Sequence, residues 1–133
     1  MFACPAIDAD RQARRYVPVY GYEFDDRDAP PMLPADIPLG AYHAAELQYV
    51  FQYTPSLSLV PSFTPAQWAL SEAMLTYWTD FAKRGTPNAR GSVRWPSARS
   101  EQLLSLDPAG LKPLSFKAFE TDHRCGLWRS LGP

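Results

Sequence analysis

The sequence predicts an α/β chain that is incomplete as a stand-alone domain: a piece of an open, mostly parallel sheet with covering helices. Three observations carry this. The run Val19-Tyr20-Gly21-Tyr22-Glu23-Phe24, rich in β-branched and aromatic residues, reads as a strand that feeds a long proline-rich stretch. A strongly amphipathic pattern from Thr64 to about Arg84 reads as the longest helix. Gln102 to Leu106 and Leu111 to Phe116 read as a strand pair ahead of a final helix. A strand that leads into a long irregular loop belongs to a sheet buried on both faces, and such a strand needs neighbours. Alone, the same elements would leave a flat strand edge and an aromatic helix face in water.

Each element has a local reason. Residues from Ala6 to Arg15 carry a helical bias with a polar face, ending near Tyr16-Val17-Pro18. Asp25 to Pro38 holds Pro30, Pro31, Pro34 and Pro38, which excludes a helix or a central strand. A loop of that length in a compact domain is usually functional. Ala44 to Phe51 reads as a short helix and Gln52 to Phe63 as a second loop. In the long helix, Thr64 and Gln67 have capping-box spacing, Pro65 sits at the first position and Gly85 supplies the stop. Leu70, Met74, Tyr77, Trp78 and Phe81 recur at helical spacing and read as core, with Glu72, Asp80 and Lys83 on the solvated side. Asp107-Pro108-Ala109-Gly110 turns the strand pair, and a helix from Phe116 to Leu131 is expected to face Phe119, Leu127 and Trp128 inward. No repeat and no internal domain boundary is visible.

Composition narrows the class. At 133 residues, 46% hydrophobic and 14% aromatic, the chain is globular rather than disordered. A net charge of −1 gives no electrostatic argument for nucleic acid or anionic membrane. No apolar run approaches the ~20 residues of a membrane span, and Met1 to Arg15 has no hydrophobic signal core. Asp25-Asp26-Arg27-Asp28 lacks the alternating ligands and glycine of a calcium loop and reads as a solvated turn. No phosphate, nucleotide or metal motif is present, and no cofactor is implied. The two cysteines, Cys4 and Cys125, would by themselves be read as buried thiols.

The most informative run is Gly40-Ala41-Tyr42-His43-Ala44-Ala45-Glu46-Leu47-Gln48-Tyr49-Val50-Phe51. It resembles the histidine segment of the type-B carboxylesterases, the cholinesterase and para-nitrobenzyl esterase family of α/β-hydrolases. Further blocks follow in that family's order. Phe2-Ala3-Cys4-Pro5 resembles the opening of the region, and Val19 to Phe24 resembles the strand ahead of the histidine loop. Tyr77-Trp78-Thr79-Asp80-Phe81-Ala82-Lys83-Arg84-Gly85-Thr86-Pro87-Asn88 resembles the family's W-x-x-F-A-x-x-G-x-P-N block. Trp95-Pro96 and Arg124-Cys125-Gly126-Leu127-Trp128 complete the series. One departure stands out: where the family usually has glycine after the histidine, this chain has Ala44.

The resemblance implies that residues 1–133 are the C-terminal portion of a carboxylesterase type-B domain with the α/β-hydrolase fold. The activity it implies is hydrolysis of carboxylic esters through an acyl-serine intermediate, with His43 as general base and then general acid. In α/β-hydrolases the triad runs Ser, then Asp or Glu, then His, so a C-terminal piece should carry only the histidine. The 133 residues contain no G-x-S-x-G and no glycine run of the oxyanion-hole kind. The nucleophile and acid are therefore expected upstream, the missing N-terminal part of the fold is the expected partner, and the 133 residues alone are expected to be inactive. Glu46 is expected to support the histidine loop rather than to serve as the triad acid. Leu39 and Tyr42 either line the acyl or alcohol pocket or simply pack the loop. His123 reads as a surface or packing residue.

Cys4 and Cys125 match positions that resemble a disulfide-bonded pair in cholinesterases. Closing so long a loop contributes ~4–5 kcal/mol in the chain-entropy model, and a bridge would place the parent protein in the periplasm or outside the cell. Two other functional readings stay open. One is a non-catalytic, cholinesterase-like binding or adhesion protein; the other is an inactive truncated gene product.

Overall fold

The computed structural model describes residues 2–32, 35–52 and 62–132. These residues gather into two compact units. The first is built from Met1–Glu23, Trp95–Ser105 and Lys112–Pro133, the second from Phe24–Arg94 and Leu106–Leu111. In chain order the elements are α1 (Ala3–Ala13), β1 (Tyr22–Phe24), α2 (Leu47–Phe51), α3 (Pro65–Arg84), β2 (Gln102–Leu106), β3 (Lys112–Ser115), α4 (Phe116–Asp122) and α5 (Cys125–Ser130). The strands form one sheet in the order β1-β2-β3. The Leu104 amide donates to the Gly21 carbonyl at 3.0 Å, and the Asp25 amide to the Leu106 carbonyl at 3.0 Å. Residue numbers rise together along this pairing, so β1 runs parallel to β2. β2 and β3 are antiparallel, with Leu103 opposite Leu114 and Ser105 opposite Lys112.

The first unit has a core of Ile7, Ala98, Leu103, Phe116 and Phe119, with Ala3, Val19 and Leu114 against it. α1 starts nearer the N-terminus than its sequence pattern suggests, because Pro5 lies in the first turn, where the missing amide costs no hydrogen bond. Gly21 is needed for close approach: a Cβ there would meet the Asp10 carboxylate. The Trp95 indole donates to the Gly21 carbonyl at 2.8 Å. Cys4 and Cys125 are joined in a disulfide, as the resemblance implied.

The helix expected from Phe116 to Leu131 is two helices. Arg124 adopts a left-handed conformation (φ 51°), which breaks the helical repeat and rotates the second piece. α5 therefore buries Cys125, while Leu127 and Trp128, expected inside, are 51% and 40% exposed.

The second unit centres on α3, whose ends follow their sequence signals closely. The Thr64 hydroxyl accepts from the Gln67 amide at 3.3 Å and the Gln67 carboxamide oxygen accepts from the Thr64 amide at 2.9 Å. Gly85 closes the helix at φ 70°. α3 buries Gln67, Leu70, Ser71, Met74 and Tyr77. Phe81, one turn further along that face, is 47% exposed rather than core. Asp80, expected on the solvated side, is half-buried and pairs with Arg84 at 2.7 Å. The stretch from Asp25 to Pro38 is irregular where described, as its prolines require. Most of the second loop expected between Gln52 and Phe63 lies outside the described residues.

Candidate functional site

His43 belongs to the second unit and sits in a turn that the local sequence builds residue by residue. Gly40 takes a left-handed conformation (φ 62°), and its carbonyl accepts from the Tyr42 amide at 2.9 Å. The Tyr42 carbonyl in turn accepts from the Ala45 amide at 3.1 Å, which folds the backbone around His43. Ala44 then adopts φ 71°, a conformation that suits glycine. This is the position where the resemblance leads one to expect glycine, and alanine occupies it in a glycine-like conformation. Ala45 is fully buried, α2 begins at Leu47, and the imidazole of His43 is exposed.

The residues on both sides of His43 are tied to one segment of chain, 26–32. Before it, the Tyr42 hydroxyl donates to the Pro30 carbonyl at 2.8 Å and accepts from the Met32 amide at 2.9 Å. Burial pushes the proton affinity of that hydroxyl up. After it, the Gln48 carboxamide nitrogen donates to the Pro30 carbonyl at 2.8 Å and to the Tyr42 hydroxyl at 3.2 Å. One residue further, the Tyr49 hydroxyl donates a short hydrogen bond to Asp26. The same Asp26 oxygen accepts from the Gln67 carboxamide at 2.8 Å, and its second oxygen accepts from the Asp28 amide at 3.0 Å. Asp26 is only 4% exposed. Burial, and next the neighbouring carboxylate, hold the Tyr49 hydroxyl well above the usual tyrosine range.

The solvated turn expected at Asp25 to Asp28 is thus a turn with a buried carboxylate inside it. Asp25 and Arg27 pair with each other at 3.3 Å, with Arg27 exposed, while Asp26 points into the unit. Nothing in the local sequence distinguishes Asp26 from its neighbours. Its side-chain partners, Tyr49 and Gln67, come from α2 and α3, far along the chain. Gln67 was legible only as a capping residue, and its carboxamide nitrogen has this second use.

The other sequence-predicted residues are placed as follows. Leu39 is exposed, and Tyr42 spends its hydroxyl on loop packing. Glu46 occupies the N-cap of α2 without a side-chain capping bond; its carbonyl accepts from the Tyr49 and Val50 amides at 3.0 and 3.1 Å. His123 belongs to the first unit, 2.7 Å from Glu23 and with its ring 4.3 Å from that of Phe119. Its position in the sequence suggested a surface or packing residue. Among the described residues no group of three or more His, Cys, Asp or Glu is placed to hold a metal ion, and no helix is long and apolar enough to cross a membrane. What the arrangement offers chemically is one exposed imidazole on a backbone fixed from both sides, suited to accepting and returning a proton.

Comparison with known proteins gives the family. The carboxylesterase family model matches residues 1–128, so the chain belongs to the carboxylesterase family, whose fold is that of the α/β-hydrolases. Its relatives are carboxylesterases and cholinesterases. It is 32% identical to the pyrethroid hydrolase Ces2e of Rattus norvegicus and 32% identical to the cocaine esterase of Homo sapiens, in each case over all of this chain and 23% of the other. It is 31% identical to the acetylcholinesterase of Bungarus fasciatus over 98% of this chain and 21% of that protein. The chain therefore spans less than a quarter of the length of these relatives.

Proposed function

We propose that this chain supplies the triad histidine of a carboxylic ester hydrolase that works through an acyl-serine intermediate. The supporting observation is the placement of His43: an exposed imidazole in a turn anchored on both flanks, within a family match that covers residues 1–128. His43 takes the proton of the attacking serine hydroxyl on one ring nitrogen while the other N–H is held by a carboxylate; it then returns the proton to the leaving alcohol. Serine, carboxylate and oxyanion hole come from the part of the fold that the 133 residues do not contain. That part is the chain's physical partner, and the ester its substrate. Leu39 and Tyr42 flank the histidine as the candidates for its substrate pocket, Glu46 supports the loop, and the Cys4–Cys125 bridge supports an oxidising compartment, periplasmic or extracellular.

Replacing His43 with Ala in the full-length protein tests the reading directly. Hydrolysis of a simple aryl ester should fall by about a million-fold, because a triad without its base retains little beyond oxyanion and binding contributions. The thermal transition should stay in place, since the imidazole is exposed. Turnover within a few-fold of the parent would remove His43 from the mechanism.

A further inference from the structure

We infer that Asp26 is a positioning residue for His43, acting through the hydroxyl of Tyr49. The inference rests on the proposed role of His43 and deepens it. A buried carboxylate is normally neutralised by a cation, because removing the charge from water is costly. Asp26 is 4% exposed, and among the described residues its partners are three neutral donors: the Tyr49 hydroxyl, the Gln67 carboxamide at 2.8 Å and the Asp28 amide at 3.0 Å. A carboxylate satisfied by neutral donors needs all of them in place, so it fixes the geometry of whatever carries them.

What carries them is the frame of the histidine turn. Tyr49 is on α2, the helix that His43 leads into, and is itself fully buried. Its carbonyl accepts from the Ser71 hydroxyl of α3 at 2.7 Å. Gln67 cannot reorient, because its oxygen is held by the Thr64 amide at 2.9 Å while its nitrogen also reaches the Asp28 carbonyl at 3.1 Å. The carboxylate thus joins the turn at 26–28, α2 and the first turn of α3 at one point. Together with the Tyr42 hydroxyl on Pro30 it brackets His43 from both chain directions. Every one of these contacts lies within the second unit, so the histidine turn carries its own support. A shift of about 1 Å in a general base is enough to cost on the order of a hundred-fold in rate, so a support of this kind should be read out in turnover.

The test is Tyr49→Phe in the full-length protein, which removes one oxygen and keeps the ring, measured beside His43→Ala and well below each protein's melting temperature. Tyr49→Phe should lower kcat about ten-fold with KM changed less than two-fold. Asp26→Asn, which keeps the volume and one acceptor oxygen, is the second variant and should give the same split. A variant that melts lower but retains the parental kcat would overturn the inference, as would a rise in KM with kcat unchanged. Failure of both variants to fold would assign the cluster to global stability and overturn it equally. If His43→Ala keeps its turnover, the proposed function itself fails. If His43→Ala is inactive and Tyr49→Phe is normal, only the positioning role is lost.

Discussion

Ala44 carries the clearest mismatch between a side chain and its backbone in the candidate site. Its φ of 71° places the methyl group against the following carbonyl, a clash worth about 1–2 kcal/mol for an L-residue that glycine does not suffer. Glycine also gives the unfolded chain more freedom, which offsets roughly 0.4–1 kcal/mol of that gain. Ala44→Gly is therefore expected to stabilise the protein by up to about 1.6 kcal/mol, seen as a higher urea midpoint with an unchanged slope. A lower midpoint would mean that the methyl group's packing outweighs its strain. The sequence marked this position as unusual, but only the backbone angle gives the reason. Asp26 is the opposite case. It stands among charged residues in a turn, its burial is decided by Tyr49 and Gln67, and nothing within a few positions of it announces that.

At the scale of elements, what could be read in advance was what is encoded locally. The limits of α3 follow from Thr64, Pro65, Gln67 and Gly85, and the β2–β3 hairpin from its Asp107–Gly110 turn. The division of the last helix at Arg124 had no such signal, since arginine is a good helix former and its left-handed angle reflects tertiary demands. Those demands are visible around α4 and α5. Cys125 is bridged to Cys4 on α1. Glu120 on α4 accepts two hydrogen bonds from Arg11 of α1, at 2.6 and 2.8 Å, and lies 2.8 Å from Arg129 of α5. The hydrogen bonds from Arg11 are the largest cause holding the Glu120 carboxyl at about 2, well below its ordinary 4.5. A carboxyl with a depressed folded-state pKa contributes its stability fully above the ordinary value and loses it as pH falls toward the folded one. Thermal stability should thus decline between about pH 4.5 and 2, and Glu120→Gln should flatten that part of the profile while lowering the plateau above it. An identical acid slope in the variant would assign the loss to other carboxylates.

For the chain as a whole, the question is what a segment that matches less than a quarter of its relatives' length can do by itself. Each unit has a buried core, yet each also shows large apolar side chains to solvent. Phe51 and Phe81 are 59% and 47% exposed in the second unit, and Leu127 and Leu131 are 51% and 68% exposed in the first. Several of these belong to the segments that most resemble the family, including the Val50-Phe51 end of the histidine run and the Trp78 to Asn88 block. Large apolar side chains that face water in this way mark surfaces suited to being covered. The proposed role of His43 leads to the same expectation, because an imidazole lowers an acyl-transfer barrier only together with a nucleophile and donors for an oxyanion. The 133-residue chain on its own should therefore bind a hydrophobic dye strongly and hydrolyse an aryl ester no faster than free imidazole does. Supplying the remaining part of the fold as a separate polypeptide should quench the dye and restore turnover, and the restored activity should vanish with His43→Ala. A sharp, dye-free thermal transition from the isolated chain would show that its apolar faces are already satisfied, and the partner role would have to be abandoned.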